Sequence, residues 1–395
     1  MTARPPAAGP GRPLVEPGPP LTRDEVLRYS RHLLLPEHGA DGQRRLKNAR
    51  VLVVGAGGLG SPVLSYLAAA GVGTIGVVDD DVVEVSNLQR QVVHGIGDLG
   101  RPKVASAAEA VARVNPLVRV EQHPYRLDAD RAVELVSGYD LVVDGADNFP
   151  TRYLVADACE LTGIPEVWGS VLRYDGQVSV FWPGHGPTYR DLFPQPPEPG
   201  AVPSCAEGGV LGAVCAALGS VMAVEVLKLL TGAGEPLVGR LLVLDALAMR
   251  WRTVPVAADP DRVPVTSIDA GSAAADGAAD DTPDLPAVDA LQLTALLADR
   301  TAGRRQLRLV DVRSAQEAAV VAIDGAELVP LDQVLSGRGT TGWDKDAPVV
   351  LHCKTGGRSA QALVALRQQG FRDVRHLDGG VIAWVDQVAP HLPRY

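Results

Sequence analysis

Two segments of the sequence carry side chains whose types and spacing could do chemistry. The first, Gly55–Gly60, reads GAGGLG and lies between an apolar, strand-like run and a helix-like run. Glycines let a backbone approach a phosphate, and the free N–H groups of a helix N-terminus bind anions. The acidic run Asp79–Asp81 follows at the distance where a carboxylate binds ribose hydroxyls. These features predict a nucleotide site, and at this point a nicotinamide dinucleotide and ATP fit equally well.

Charged residues further along the chain favour ATP. Arg90, Lys103 and Asp147 follow the glycines in the runs VSNLQRQ, GRPK and DGADN. Hydride transfer requires no such set near the phosphates. Attack on an α-phosphate does, because the negative charge that grows on the phosphoryl oxygens must be offset by cations and Mg²⁺. The pattern therefore predicts phosphoryl chemistry and disfavours a nicotinamide-dependent oxidoreductase.

The second segment surrounds Cys353 in the run LHCKTGGRS, between an apolar strand-like run and a helix-like one. Successive backbone N–H groups at such a helix start point towards the sulfur. Lys354 and Arg358 add positive charge, and both effects favour thiolate over thiol, so we expect a nucleophilic cysteine. A buried structural cysteine is the alternative. The spacing between Cys353 and Arg358 is one residue shorter than in related phosphatase loops, which favours sulfur over phosphate as the group handled.

Strand-like and helix-like runs alternate over residues 22–256, and this alternation predicts an α/β domain with a mostly parallel sheet and helices on both faces. Its ligands are expected at the carboxyl ends of the strands. Residues 286–395 predict a second, smaller α/β domain. Residues 257–285 are rich in Ala, Asp, Pro and Gly and predict a flexible linker, and the Pro- and Gly-rich residues 1–21 predict a disordered leader.

Composition disfavours several classes of protein. The formal net charge of −10 argues against a nucleic-acid-binding surface, which needs clustered Lys and Arg. The apolar run Leu211–Val226 is interrupted by Gly, Ser and Glu, and it is predicted to fall short of a membrane span. Four cysteines, with no closely spaced pair, predict no disulfide framework and a reducing, cytoplasmic location.

Six motifs appear in the order typical of the MoeB/ThiF adenylyltransferases, bacterial relatives of ubiquitin-activating enzymes: RYSRHLLL, VLVVGAGGLGS, DDDVVEVSNLQRQ, GRPK, DGADN and PSCAEGGVLG. Residues 25–255 resemble this family, which implies a Rossmann-like, doubly wound domain that binds ATP and Mg²⁺. The resemblance implies the following nucleotide-binding residues: Gly58, Asp79, Ser86, Asn87, Leu88, Gln89, Arg90, Lys103, Asp147 and Asn148.

The same resemblance implies individual roles. Gly58 lines the phosphates and Asp79 holds the ribose. Asn87, Arg90 and Lys103 contact the triphosphate, and Asp147 carries Mg²⁺. Arg31, in RYSRHLLL, resembles an arginine that reaches into the partner subunit's site, which implies a homodimer.

The family commonly binds a structural zinc through two Cys-x-x-Cys pairs. Thr188–Leu192 reads TYRDL at the first expected place, and the region Arg252–Pro264 contains no cysteine either. We therefore predict no zinc site. Packing or dimer contacts are expected to hold these two segments.

Residues 286–395 resemble the rhodanese sulfurtransferases in the runs LVDVRSAQE, AIDGAELVP and CKTGGR. The resemblance implies that Cys353 carries a persulfide sulfur and that Arg358 binds the donor or stabilises the charged sulfur. Asp311 and Arg313 are expected to brace the domain rather than to react.

The other three cysteines differ in their sequence context. Cys205 lies in PSCAEGGV on an expected crossover loop, and in related fused enzymes the matching thiol is implicated in handling the activated carrier or resolving the persulfide linkage. A structural loop cysteine is the alternative. Cys159 and Cys215 lie in apolar helical patterns and are expected to pack in the core.

The combined prediction is ATP-dependent adenylation of the C-terminal glycine of a small ubiquitin-like sulfur carrier ending in Gly-Gly, followed by sulfur transfer from Cys353 to give a thiocarboxylate. Its catalytic residues are predicted to be Cys353, Cys205, Arg90, Lys103, Arg31 and Arg358. Thiosulfate or a cysteine desulfurase is the expected sulfur donor. Molybdopterin, thiamine, cysteine and other sulfur metabolites are open as pathways. The alternative is an activating enzyme for protein conjugation in which the rhodanese-like domain is only a docking module.

Overall fold

The computed structural model describes residues 11–197, 208–268 and 285–395. The chain divides into two compact units, Met1–Gly277 and Ala278–Tyr395.

The first unit is built on an eight-stranded sheet with the order β3-β2-β1-β4-β5-β6-β7-β8. The strands are β1 Arg50–Val54, β2 Thr74–Val78, β3 Arg119–His123, β4 Leu141–Asp144, β5 Glu166–Leu172, β6 Asp175–Phe181, β7 Arg240–Asp245 and β8 Arg250–Pro255. The first five in sequence pair in parallel, which confirms the predicted doubly wound core. The remaining pairings, β5–β6, β6–β7 and β7–β8, are antiparallel.

The antiparallel half of the sheet was not predicted because its first hairpin has no sequence signal. β5 and β6 are joined by Arg173 and Tyr174 alone, whereas two-residue hairpin turns are usually marked by Asn-Gly or Asp-Gly. Arg173 adopts a positive φ of 57° without being glycine. The turn therefore depends on the pairing of its strands, which the sequence pattern does not report.

Helices cover both faces of this sheet, as predicted. Within β1, Val51 and Val53 point to one face and Leu52 and Val54 to the other, and all four are buried. The helices are α1 Arg23–Arg28, α2 Ser30–Leu33, α3 Gly39–Asn48, α4 Gly60–Ala70, α5 Lys103–Val114, α6 Ala129–Ser137, α7 Phe149–Thr162, α8 Tyr189–Leu192 and α9 Gly212–Thr231. The first face packs on α3, α4, α5 and α9, and the second on α6 and α7.

One described helix, α9, is long and apolar enough to cross a membrane, with a hydropathy of 1.9 over its best window. The prediction that this run falls short of a span is wrong on length, because the helix continues to Thr231. Leu218 and Met222 are fully buried against the sheet, and α9 contacts α4, β5 and β6. These contacts are those of a core helix.

The predicted disordered leader is wrong for residues 11–21, and residues 1–10 lie outside the described part of the chain. Val15 is buried, and the backbone N–H of Leu14 donates to the carbonyl of Leu229 at 3.0 Å. Arg44 and Arg45 on α3 donate to the carbonyls of Gly18 and Val15 at 2.8 and 2.5 Å. Partners from distant helices thus satisfy this Pro-rich backbone, and local composition does not report them.

The predicted linker 257–285 is wrong at its start. Arg262 donates to Glu160 on α7 at 2.9 Å and to Asp191 on α8 at 3.0 Å. Val265 N–H also donates to Glu160 at 3.0 Å, and Ile268 packs beside the core of α6 and α7. Residues 257–268 therefore belong to the first unit, whereas 269–284 lie outside the described residues.

The second unit is built on a five-stranded parallel sheet with the order β11-β10-β12-β13-β9. Its strands are β9 Ala287–Val288, β10 Arg308–Asp311, β11 Glu327–Leu328, β12 Val349–His352 and β13 Val374–Leu377. Its helices are α10 Ala290–Thr301, α11 Ala315–Val320, α12 Leu331–Leu335, α13 Gly357–Gln368 and α14 Gly380–Gln387. Buried side chains on both faces of β12 confirm the predicted α/β pattern.

Candidate functional site

A cavity of about 410 Å³ opens where β1, β2 and β4 end, at the carboxyl edge of the parallel sheet. Strand ends meet at this edge in doubly wound folds, so residues distant in sequence converge there. Six of the predicted nucleotide-binding residues line the cavity: Gly58, Asp79, Arg90, Lys103, Asp147 and Asn148.

The glycine turn between β1 and α4 forms one wall of the cavity. A Cβ at Gly60 would lie 1.9 Å from the carbonyl oxygen of Gly55, so no larger residue fits there. Asp79, at the end of β2, accepts a hydrogen bond from Ala56 N–H at 2.8 Å. Burial raises the pKa of Asp79, and Lys103 opposes that rise. Asp79 thus holds the glycine turn in position.

Lys103, the first residue of α5, is the buried cation of the cavity. Its Nζ lies 2.6 Å from Asp81 Oδ2 and 4.0 Å from Asp79 Oδ1. The side chain of Asp81 is 67% exposed, whereas that of Lys103 is only 7% exposed. Because the Asp81 carboxylate is itself open to water, a phosphate can displace it from Lys103 at small cost.

Arg90 lines the cavity, and its neighbours in VSNLQRQ support it from behind. Arg90 Nη1 donates to the carbonyl of Ser86 at 3.0 Å. Asn87 is buried, and its Oδ1 accepts from Glu84 N–H at 3.1 Å. Four predicted contacts therefore lie in a supporting turn outside the cavity lining: Ser86, Asn87, Leu88 and Gln89.

Two further predicted residues, Asp147 and Asn148, lie at the rim of the cavity. A third, Arg31, does not line it. Asp147 is exposed and faces the opening. Asn148 caps α7, since its Oδ1 accepts from Thr151 N–H at 2.9 Å. Arg31 is exposed on α2 and is not among the residues that line this cavity.

Arg152 and Asp144 both form hydrogen bonds to the backbone of the loop that carries Asp147. Arg152 was not among the residues predicted from the sequence. Asp144 Oδ1 accepts from Ala146 N–H at 2.8 Å, and Arg152 Nε donates to the Ala146 carbonyl at 3.1 Å. Arg152 lines the cavity and lies 6.0 Å from the ring of Trp168. The only sequence signal was its place four residues after Asn148, one turn into α7.

A second carboxyl group lies beside Asp144 and Arg152. Glu166, at the start of β5, is fully buried. Burial raises the pKa of Asp144 to about 6, with Arg152 opposing the rise, and burial also raises the pKa of Glu166. Two buried carboxyl groups that repel each other beside one arginine favour retention of a proton.

Gln91 and Cys215 also line the cavity, and neither was predicted to do so. Gln91 is 4% exposed and its Oε1 has no hydrogen-bond partner among the described residues. Cys215 on α9 is buried as expected, but a Cβ at Gly58 would lie 3.0 Å from its sulfur. Cys159 on α7 packs in the core as predicted, and burial raises the pKa of its thiol.

The oxygen donors of this cavity fit Mg²⁺. Mg²⁺ prefers carboxylate, carbonyl and phosphate oxygens and is usually held by one or two carboxylates together with a nucleotide. Asp147 presents an exposed carboxylate, Asp144 Oδ2 is buried and has no hydrogen-bond partner in the described part of the chain, and the carboxylates of Asp79–Asp81 lie within 4.8 Å of one another.

The two segments considered for zinc are joined by ion pairs. Asp191 in Thr188–Leu192 accepts from Arg262 at 3.0 Å and from Asp259 N–H at 3.0 Å. Arg190 binds both oxygens of Asp157 at 2.5 and 2.8 Å. A guanidinium in place of thiolates does not fit a zinc site. Charged hydrogen bonds within the unit therefore hold these two segments, and the expected dimer contacts stay a prediction.

In the second unit, Cys353 follows β12 and precedes α13, as predicted. Gly356 N–H donates to the sulfur at 3.1 Å, and Ser359 Oγ lies 3.6 Å from it. The residue is only 1% exposed. A Cβ at Gly380 would lie 2.4 Å from the carbonyl of Lys354, so α14 approaches the loop too closely for another residue. The loop between Cys353 and Arg358 is termed the thiol loop below.

Arg358 forms a two-pronged ion pair with Glu317 on α11. Its Nη2 and Nη1 lie 2.6 and 2.9 Å from the two carboxylate oxygens. Burial pushes the pKa of Glu317 up, but hydrogen bonds from Arg358 and Ser314 outweigh burial and lower the pKa. Sequence analysis had assigned Arg358 to the donor or the sulfur, and it missed Glu317.

Lys354 and Arg313 share an aromatic partner. Lys354 Nζ lies 4.8 Å from the Tyr395 ring centre, and the Tyr395 hydroxyl accepts from Arg313 at 2.5 Å. Arg313 is fully buried and donates to both oxygens of Asp311. These bonds support the bracing role expected for Asp311 and Arg313. Cys205 lies outside the described residues.

Two parts of the chain match known protein families, and each part contains one of the two sites. Residues 29–265 match the ThiF family, and residues 292–387 match the rhodanese-like domain. The first match contains the cavity, and the second contains the thiol loop.

Of two similar proteins, one matches almost the whole chain and the other matches 62% of it. The chain is 53% identical over 388 residues to a "Probable adenylyltransferase/sulfurtransferase MoeZ" of Mycobacterium tuberculosis, covering 97% of this chain and 98% of the relative. It is 55% identical over 249 residues to a "Sulfur carrier protein adenylyltransferase" of Thermus thermophilus, covering 62% of this chain and 92% of that protein.

Solved structures support the fold of the first unit. The microcin C7 biosynthetic enzyme MccB in complex with N-formylated MccA matches with a TM-score of 0.55 at 22% identity, over 60% of this chain and 74% of the other. PaaA matches with a TM-score of 0.53 at 24% identity, over 60% of this chain and 75% of the other. At this identity the likeness concerns the fold alone. Taken with the sequence matches, the chain belongs to the ThiF family and carries a rhodanese-like domain.

Proposed function

We propose that the protein adenylates the C-terminal glycine of a small ubiquitin-like sulfur carrier with ATP and then transfers sulfur to it from Cys353. The observation that carries the proposal is the presence, in one chain, of a cationic cavity behind a glycine turn and a cysteine at a helix N-terminus. In the terms of its relatives, the protein is an adenylyltransferase and a sulfurtransferase. The proposed division is adenylation by residues 22–256 and sulfur transfer by residues 286–395.

In the adenylation step, a carboxylate oxygen of the carrier attacks the α-phosphate and pyrophosphate leaves. Lys103 and Arg90 stabilise the charge that develops on the phosphoryl oxygens, since both line the cavity. Gly58 lies against the phosphates, and Asp79 accepts from the ribose. The turn Ser86–Gln89 positions Arg90, and Asn148 fixes the start of α7.

Mg²⁺ bound with ATP would draw charge from the phosphate oxygens, with Asp147 as its protein ligand. Arg152 and Asp144 hold the backbone of Ala146, so the neighbouring Asp147 carboxylate is kept at the opening. Their contribution is positional. We also propose a homodimer in which Arg31 of each copy reaches the cavity of the other, which suits its exposure on α2 outside its own cavity.

In the sulfur step, the terminal sulfur of a Cys353 persulfide attacks the carrier's acyl carbon and AMP leaves. This forms an acyl disulfide between the carrier and Cys353. Attack by the Cys205 thiolate on the Cys353 sulfur then releases the carrier thiocarboxylate and leaves a Cys205–Cys353 disulfide, which a cellular thiol reductant reopens. That requirement is why a cytoplasmic location belongs to the proposal. Thiosulfate or a cysteine desulfurase supplies the sulfur.

Intact-mass measurement of candidate carriers tests the proposal. Each carrier is incubated with the full chain, ATP, Mg²⁺ and either thiosulfate or a cysteine desulfurase with cysteine. We expect an oxygen-to-sulfur mass increase on at least one carrier. The carriers of molybdopterin, thiamine and cysteine synthesis are tried in parallel, so a positive result also identifies the pathway.

Controls separate the proposal from the docking alternative. Without ATP, or with Cys353→Ala, the mass of the carrier should not change, whereas carrier-dependent ATP–pyrophosphate exchange by Cys353→Ala should persist. Thiocarboxylate formation by Cys353→Ala would instead support a rhodanese-like domain that only docks partners. Absence of exchange with every carrier would contradict the adenylation step.

A further inference from the structure

The ion pair between Arg358 and Glu317 places a carboxylate against the arginine that ends the thiol loop, and nothing in the proposed sulfur step uses it. We propose, resting on that function, that Glu317 determines which sulfur donor Cys353 accepts, by cancelling the charge of Arg358 and so disfavouring a small dianionic donor of the thiosulfate type relative to a persulfide presented by a protein.

Glu317 is held so firmly that an incoming anion cannot displace it at small cost. Four hydrogen bonds reach its carboxylate, two from Arg358 and two from Ser314 at 3.0 and 3.1 Å. The side chain is 10% exposed and belongs to the capping box of α11. Ser314 therefore fixes the carboxylate in place before Arg358 binds it.

Arg358 is committed to this carboxylate in a geometry that uses both terminal nitrogens. Planar guanidinium groups bind dianions such as thiosulfate with the same paired donors that here contact Glu317. A thiosulfate ion would have to compete with an anchored carboxylate for these donors. The arginine can still support the loop mechanically while offering little net charge to a donor.

The other positively charged or titratable side chains around the thiol loop do not replace the positive charge of Arg358, which Glu317 cancels. Arg313 is paired with Asp311 and buried. His352 lies next to Cys353, and burial lowers its pKa to about 4, so it is neutral at physiological pH. Lys354 has its Nζ 4.8 Å from the centre of the Tyr395 ring. A dianion thus meets less positive charge here than the sequence CKTGGR suggests.

The affected step is the loading of Cys353. The thiolate of Cys353 attacks the outer sulfur of thiosulfate, the sulfur–sulfur bond of thiosulfate breaks, and sulfite leaves with the bonding electron pair. The products are a Cys353 persulfide anion and sulfite, so atoms and charge balance. Three negative charges meet in this transition state, which is why the net charge of Arg358 matters. A protein persulfide brings at most one charge and leaves as a thiolate.

The decisive variant is Glu317→Gln in the full chain, which retains the shape of the side chain and an acceptor for Arg358. With thiosulfate as donor and cyanide as acceptor, kcat/KM should rise about tenfold, mainly through a lower KM, since one uncancelled charge near an anion has this order of effect. Turnover with a persulfide-loaded cysteine desulfurase should change less than twofold. Glu327→Gln is the matched control, because it breaks the Arg308–Glu327 ion pair of the same unit away from the thiol loop.

A second measurement reports on charge rather than on folding. Mass spectrometry compares alkylation of the Cys353 peptide by iodoacetate, which is an anion, and by iodoacetamide, which is neutral, at one pH. In Glu317→Gln the ratio of the iodoacetate rate to the iodoacetamide rate should rise, because an uncancelled Arg358 attracts the anion. In Glu317→Asp, which keeps the charge, and in Glu327→Gln, this ratio should stay where it is in the wild type.

The wild-type protein offers a test that does not depend on any variant folding. Methanethiosulfonate carries the same transferable sulfur as thiosulfate with one negative charge less. The wild type should use it with a higher kcat/KM than thiosulfate, and Glu317→Gln should reduce or reverse that preference. Equal or lower thiosulfate activity in Glu317→Gln, or a wild-type preference for the dianion, overturns the proposal.

Failure here is distinguishable from failure of the proposed function. Carrier-dependent ATP–pyrophosphate exchange and thiocarboxylate formation with the desulfurase are measured on the same preparations. If both persist while the donor preference ignores Glu317, only the specificity proposal is wrong. If none of the sulfur donors gives a thiocarboxylate, the sulfur half of the proposed function is wrong.

Discussion

Lys103 in the nucleotide cavity and Arg358 in the thiol loop are both cations beside a reactive centre, and both lie within 2.6 Å of a carboxylate oxygen. Their partners differ. Asp81 is 67% exposed and adjoins the opening of the cavity, whereas Glu317 is 10% exposed and is also held by Ser314. Exposed ion pairs contribute about 0–1 kcal/mol, whereas removing one partner of a buried pair costs about 3 kcal/mol. Lys103 itself is only 7% exposed, so its pair lies between these limits, and the difference between the two sites is in how exposed the carboxylate is.

This difference shows that a basic residue in a motif is not automatically a binding group. Lys103 can exchange its carboxylate for a phosphate, so it is available to a substrate. Under the donor-selectivity proposal, Arg358 cannot do so at comparable cost, because its partner Glu317 is also held by Ser314. The following predictions test whether the two sites are separate and whether the anchoring of each carboxylate has these consequences.

The largest expected effect is that of Cys353→Ser. Thiocarboxylate formation and thiosulfate:cyanide transfer should fall to background, because a hydroxyl cannot hold a persulfide. Carrier-dependent ATP–pyrophosphate exchange should remain within twofold of wild type. Cys159→Ser is the matched thiol control, and it should keep both activities since Cys159 packs in the core of the first unit. Loss of exchange in Cys353→Ser would show that the two sites are not independent.

Lys103→Met tests the nucleotide half of the comparison. Exchange should fall about 10²- to 10³-fold, the usual cost of removing one group that stabilises transition-state charge. Thiosulfate:cyanide transfer by Cys353 should be unchanged. Lys47→Met is the control, because Lys47 pairs with Glu25 at 2.9 Å in the same unit but does not line the cavity. Equal losses in the two variants would mean that Lys103 acts through stability alone.

The sequence predicts the ends of strands well because parallel strands place them at one edge. Gly58, Asp79 and Asp147 are far apart in the chain, yet each follows a buried apolar run, and each lines the cavity. The position of Cys353 before α13 follows from the same rule of a strand, a glycine-rich turn and a helix. Local periodicity and turn chemistry are sufficient for this part.

The sequence fails where a partner is distant and its type is common. Glu317 and Arg152 resemble ordinary helix residues, and their roles depend on which carboxylate or carbonyl the fold brings within 3.1 Å. Residues 11–21 and 257–268 have the composition of linkers, yet arginines from other segments and Glu160 fix them. The composition of a segment indicates how much apolar surface it can bury by itself. It does not report hydrogen bonds that residues far away in the sequence make to that segment.

A fall in pH should change the stability contributions of Glu317 and Asp144 in opposite directions. The pKa of Glu317 is lowered in the fold, so its stabilisation is complete above its ordinary pKa and is lost as the pH falls through the folded value. The pKa of Asp144 is raised to about 6 by burial, so stability falls as the pH rises from its ordinary pKa towards that value. The slope is up to about 1.4 kcal/mol per pH unit for each group.

Calorimetry at about pH 4 and about pH 7 measures these signs. Glu317→Gln should destabilise its unit more at the higher pH, because the wild-type ion pair is complete there. Asp144→Asn should be least harmful, or stabilising, at the higher pH, because the wild type then buries an ionised carboxylate. Arg152 lowers the pKa of Asp144 and Asp147 raises it, and the charge of Asp144 in turn raises the pKa of Glu166. The same sign for both variants would contradict the assignment.

The smallest effect is expected for Asp81→Asn, and it bears most directly on the comparison. Asp81 itself is 67% exposed, so the free energy of unfolding should change by less than about 1 kcal/mol. The KM for ATP should fall slightly, about two- to threefold, because a phosphate no longer competes with a carboxylate for Lys103. Asp80→Asn is the matched control, since Asp80 lines the same cavity, whereas the ion pairs of Lys103 in the described part of the chain are with Asp79 and Asp81. A large rise in KM would mean that Asp81 positions Lys103 for the nucleotide, and then its ion pair would resemble the one that fixes Arg358.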